Sequence, residues 1–191
     1  AYVTSSSEDL QQMCYDKDIA DSPFFNIFGK LPLRPFTREE AVDLVVRASA
    51  FEGVPLEPHT AEIIELAGLF PLYLQIACST VFEFLVDNEG AGPNWDDIRK
   101  TYMDEVDQHY RFVWDRMDEA GRGNLARVAV GKPVNKEHAF VNEELERRGY
   151  LVQSDKGLQL FSSSFRDFVL REAGDSGKKR GLLGSFFGRK G

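Results

Sequence analysis

The nine residues Ala67-Gly68-Leu69-Phe70-Pro71-Leu72-Tyr73-Leu74-Gln75 constrain the fold more than any other stretch. Ahead of them Ile63, Ile64 and Leu66 mark an amphipathic helix that runs into Gly68, a residue suited to ending helices. Pro71 suits the first turn of the next helix. The spacing predicts helices over residues 60–67 and 71–86 joined by a tight corner. The second is apolar nearly all round, through Leu72, Leu74, Ile76, Val81, Phe82, Phe84 and Leu85, as a helix buried among others must be. On these residues alone the corner reads as plain punctuation, a helix stop followed by a helix start.

The same reasoning extends in both directions. Thr37 and Glu40 form a capping box that opens a helix with Ala41, Leu44, Val45, Ala48 and Phe51 on one face, and Gly53-Val54-Pro55 ends it. Residues 87–93 read as a Gly-bearing loop, and Asn94 caps a long helix whose apolar positions are Trp95, Ile98, Tyr102, Val106, Tyr110, Val113 and Met117. Shorter elements follow: a helix near Asn124–Val130, a break at Gly131-Lys132-Pro133, and a helix over Lys136–Arg148 behind Asn135. A two-stranded ribbon (150–153 and 158–161) turns at Ser154-Asp155-Lys156-Gly157, and Ser162 or Ser163 starts a last helix through Phe165, Phe168, Val169 and Leu170. Near the start, Tyr2 to Ser7 reads as a short strand running into a polar turn. The stretch from Asp21 to Pro35 holds four prolines or glycines that forbid a long helix, yet it is too apolar to lie in solvent.

Composition bounds the function. With 42% hydrophobic residues in 191 the chain has material for a real core, and no run approaches the length of a membrane-spanning helix. Two cysteines, Cys14 and Cys78, are too few for a disulfide framework, which fits a reducing interior. The net charge is −8, but residues 174–191 carry +4 through Lys178, Lys179, Arg180, Arg189 and Lys190, leaving −12 on the remainder. Such a body is a poor general partner for nucleic acid. The basic tail suits an anionic membrane surface, or a linker to another domain.

Several phrases together resemble the AAA+-related ATPases of the STAND and archaeal type. Leu31-Pro32-Leu33-Arg34-Pro35-Phe36-Thr37-Arg38-Glu39-Glu40-Ala41 is similar to that family's passage from ATPase core into helical lid, and Gly68-Leu69-Phe70-Pro71 resembles its Gly-x-Pro corner, with Leu69 where a second glycine is common. Leu145-Glu146-Arg147-Arg148-Gly149-Tyr150-Leu151-Val152 resembles the approach to the wing of a winged helix-turn-helix, a domain that follows the lid in this family. The resemblance implies a mainly α fold: a core remnant over 1–36, a helical lid over 37–93, a linking helix and winged helix over 94–173, and a basic tail over 174–191. It puts Gly68 and Pro71 at the adenine of ATP or ADP, and Thr4 or Ser5 at the terminal phosphate. Phe165-Arg166-Asp167 falls where relatives carry a Met-His-Asp motif, so Arg166 would meet the β-phosphate; on local grounds it is instead a surface arginine paired with a carboxylate.

The chain lacks the loop that such an ATPase needs. Residues 126–133, ending in Gly131-Lys132-Pro133, miss the first glycine of a phosphate-binding loop and place proline where Ser or Thr would hold magnesium. No Walker B-like strand end is present, and His59, His109 and His138 have no metal-ligand spacing. The expectation is a chain not catalytic alone, completed in cis by an upstream ATPase core that supplies Mg, and working as a cytoplasmic regulatory switch with a protein partner or effector domain. The presumptive recognition helix carries Glu137, Glu143, Glu144 and Glu146, so a protein-facing role is favoured, with Asn142 and Arg147 its DNA-compatible residues. The alternatives are a stand-alone winged-helix DNA-binding regulator and a protein-interaction module without nucleotide.

Overall fold

A computed structural model describes residues 33–50, 53–88, 92–155 and 157–174. Thr4, Ser5, the side chain of Ala48, Phe51, Lys156 and the tail from 175 lie outside these. Among the described residues the protein is mainly helical, with one small antiparallel hairpin.

Helix α1 (Arg38–Ala50) begins at the predicted capping box: Glu40 N–H donates to Thr37 Oγ1 at 3.2 Å and Thr37 N–H donates to Glu40 Oε2 at 2.8 Å. Such a cap contributes about 1 kcal/mol. After a 3₁₀ turn (Glu57–His59), α2 (Thr60–Ala67) and α3 (Pro71–Asp87) meet at the predicted corner. Buried Ala41, Val45, Leu56, Ile63, Leu66, Leu74 and Val81 make the core of this part.

Helix α4 (Trp95–Arg116) is capped by Asn94, whose Oδ1 accepts from Asp96 N–H at 3.2 Å. Its buried line is Ile98, Tyr102, Val106, Tyr110 and Trp114. Sequence spacing had placed Val113 on that line, but the side chains step strictly by four. Each step turns the line about 40° around the axis, so the two ends of α4 face different neighbours.

Helix α5 (Glu119–Ala129) starts earlier than the apolar pattern suggests, because Asp118 caps it through Oδ1 and the N–H of Gly121 at 2.7 Å. The helix expected over 136–148 divides into a 3₁₀ turn (Lys136–His138) and α6 (Ala139–Arg147), with Asn135 capping the turn. Strands β1 (Leu151–Ser154) and β2 (Gly157–Leu160) pair Leu151 with Leu160 and Ser154 with Gly157. Helix α7 covers residues 163–174, and ion pairs Arg99–Asp167, Arg171–Asp107 and Arg111–Glu172 lay it alongside α4.

Candidate functional site

The α2–α3 corner is where distant parts of the chain converge. Gly68 has φ +71° and ψ −154°, a combination essentially restricted to glycine. Its residue is buried, and a Cβ added there would lie 2.6 Å from both the ring edge and the carbonyl oxygen of Phe161. Glycine is therefore required twice, for its backbone angles and for its missing side chain.

A helix end leaves carbonyls without helical partners, and the corner's are taken by residues far away in sequence. Ser164 Oγ donates to Leu66 O at 2.5 Å, and Phe36 N–H donates to Leu69 O at 2.8 Å. Phe70, the residue before Pro71, packs edge-on to Phe161 at 4.7 Å and stacks with Tyr150 at 6.1 Å. Gly149 makes room for this approach: a Cβ there would lie 2.6 Å from Pro35 and 3.2 Å from Phe70.

Behind the corner lies a buried network of rings and hydroxyls. Tyr110 OH sits 2.8 Å from Ser164 Oγ and 3.3 Å from Tyr102 OH, and Ser162 Oγ lies 3.1 Å from Ser164 Oγ while accepting from Phe165 N–H. Burial pushes the hydroxyls of Tyr73, Tyr102 and Tyr110 above the ordinary tyrosine value, so they remain neutral hydrogen-bonding groups. Cys78 is buried as well, and desolvation raises its thiol to about 11, too high for a thiolate nucleophile near neutrality.

Arg166 lies on α7 two residues beyond Ser164. Its Nε donates to Ala129 O at 2.8 Å, at the C-terminal end of α5, where a cation is favoured by the helix dipole. The partner is thus a backbone carbonyl, in place of the carboxylate that local reasoning expected. Among the described residues its two terminal guanidinium nitrogens have no hydrogen-bond partner, and the side chain is exposed.

Of the groups in a nucleotide, this arrangement matches some and not others. Half-buried Leu69 and Pro71 and exposed Leu72 give an apolar edge at the corner, while Arg166, about 200° around α7 from Ser164, offers its two donors at the end of α5. Gly68 has no open face, because Phe161 fills it. Among the described residues no cluster of His, Cys, Asp or Glu is able to hold a metal ion, so no magnesium chemistry is assigned to them.

The DNA-compatible residues of α6 are otherwise engaged. Asn142 is buried, accepting from Asn124 Nδ2 at 2.6 Å and donating to Asn135 O at 2.9 Å. Arg147 and Arg148 both bond Glu144, whose carboxyl burial pulls upward but these hydrogen bonds hold below its usual range. His59 packs edge-on to Trp95, His109 is exposed, and His138 has a buried Nδ1 without a hydrogen-bond partner.

Sequence reasoning found the corner but missed Phe161 and Ser164. The signal for Ser164 was a surplus: three serines stand at the start of α7, one suffices as its cap, and Ser162 fills that role.

No helix among the described residues is long and apolar enough to cross a membrane. No curated protein and no solved structure matches the chain. The family described as Novel STAND NTPase 2 matches residues 1–134, more than half of the sequence, and the chain belongs to that family of STAND-type NTPases.

Proposed function

We propose that this chain is the helical lid and winged-helix portion of a nucleotide-dependent switch. The lid comprises α1–α3, and the winged helix comprises α5, α6, the hairpin and α7, with α4 joining them. Gly68 shapes the corner and Pro71 meets the adenine of ATP or ADP, while Thr4 or Ser5 senses the terminal phosphate. Arg166 meets the β-phosphate. The phosphate-binding loop and the magnesium site belong to an ATPase core ahead of Ala1.

The observation that carries this reading is the convergence on the corner. Its carbonyls at 66 and 69 are held by Ser164 and Phe36, and the same turn of α7 that carries Ser164 carries Arg166, whose free donors lie at the end of α5. ATP and ADP switch such a protein only through different affinities for its open and closed arrangements. Bound nucleotide supplies charge for Arg166 and an apolar base for the Pro71 edge; the residues of this chain bind and position it. The output is a protein contact, since Asn142, Arg147 and Arg148 are occupied internally.

Calorimetric titration of ATP and ADP tests the reading on the protein extended upstream of Ala1, with the 191-residue chain alone as control. Binding by the extended protein only is expected, and Pro71→Ala should weaken it about tenfold, equivalent to about 1.4 kcal/mol. No binding by an extended protein with a complete phosphate-binding loop would overturn the reading and leave a protein-interaction module.

A further inference from the structure

We infer that residues 161–166 form a coupling segment through which the α2–α3 corner and Arg166 respond to a ligand as a single unit. The inference deepens the proposed function and rests on it for the identity of the ligand. Its mechanical part stands on geometry alone.

Within six residues the segment makes three anchors. Phe161 covers the Cα of Gly68, Ser164 donates to Leu66 O, and Arg166 donates to Ala129 O. The first two hold the corner and the third holds the end of α5. Ser164 and Arg166 lie in one helical turn of α7, so a displacement of that turn moves both anchors.

The hydroxyl network has only one workable direction. Ser164 carries a single proton, and Leu66 O, having no proton to give, requires it. Tyr110 and Ser162 must then donate to Ser164, and Tyr102 must donate to Tyr110. Donors thus run from α4 through α7 and end on the last turn of α2. Withdrawing the corner would leave the Leu66 carbonyl oxygen without its donor and the buried Ser164 hydroxyl without its acceptor, at a cost above that of one exposed hydrogen bond. Displacement of the corner is therefore transmitted to α7, and with it to Arg166. In this arrangement Ser164 and Phe161 are positioning residues, acting through the groups they hold.

Reciprocity is the test. Hydrogen exchange on the protein should show Ser164→Ala speeding exchange across residues 66–72 about tenfold, and Gly68→Ala speeding it across 163–168 to a similar extent. Arg111→Ala, in α4 and facing the outer side of α7, should do neither. Where Ser164→Ala does not fold, Tyr110→Phe keeps the ring and removes the donor, and the same corner response is expected. A response confined to the mutated side in either direction overturns the coupling. In the nucleotide-binding protein, the loss of ADP affinity caused by Arg166→Ala should shrink at least threefold once Ser164→Ala is present; independent, multiplying losses overturn the inference. If the wild-type protein binds no nucleotide, the proposed function fails, and the exchange experiment still decides whether corner and α7 are coupled.

Discussion

Helix α7 is held along two seams that share almost no chemistry. Towards the corner it presents Ser164, Phe165, Phe168 and Val169, each with no exposed surface, against rings and hydroxyls. Phe165 stacks on Phe161 at 4.6 Å and meets Tyr110 edge-on at 5.1 Å. Towards solvent it presents Asp167, Arg171 and Glu172, paired with Arg99, Asp107 and Arg111 of α4. The inner seam is neutral and buried; the outer is charged and partly exposed. Stability should therefore reside on the inner side, since exposed ion pairs contribute about 0–1 kcal/mol each while a buried aromatic contributes several times that.

Alkali gives the largest contrast. The folded-state values of Tyr73, Tyr102 and Tyr110 are raised chiefly by burial, above the ordinary value of 10.0. Their contribution is therefore fully present below pH 10 and falls as pH rises beyond it, because only the unfolded chain ionises readily. Circular dichroism across a pH series should show an alkaline loss of helix that added salt does not prevent. Retention of fold with all three tyrosines ionised would place them outside the seam's energetics.

Phe165→Ala should cost about 3–5 kcal/mol in urea unfolding, through lost transfer energy and the cavity left behind. Gly68→Ala follows at about 2–4 kcal/mol, combining a backbone region closed to alanine with overpacking against Phe161. A cost below about 0.5 kcal/mol would mean that Phe161 moves aside freely, and the corner would lose its distinction from an ordinary turn. Arg111→Ala marks the small end, within about 1 kcal/mol and shrinking further at high salt. Because Arg111 also lies 5.9 Å from the Phe168 ring, any residue of its effect that survives salt measures the packing shared by the two seams.

Much of this architecture was legible in the sequence because it is local. The capping box at Thr37 and Glu40, the stop at Gly68, the restart at Pro71 and the turn before Gly157 are each decided by residues within a few positions. The pairing of seams was not legible, since nothing near Ser164 specifies a carbonyl 98 residues away. Arg166 was singled out by resemblance, but its anchor on Ala129 depends on where α5 ends in space. Asp118 was passed over as a cap because Gly121 and Gly123 weaken the helical pattern that follows it.

The turning line of buried side chains on α4 also limits how this chain is able to vary in length. Deleting or inserting one residue between Ile98 and Tyr110 would rotate everything beyond it by about 100° relative to the first helices and break the register that sets Tyr110 against Ser164. Tolerated insertions should thus gather near residues 53–55 and 92–94, while α4 keeps its length as the gauge that sets the angular phase between the first helices and the last.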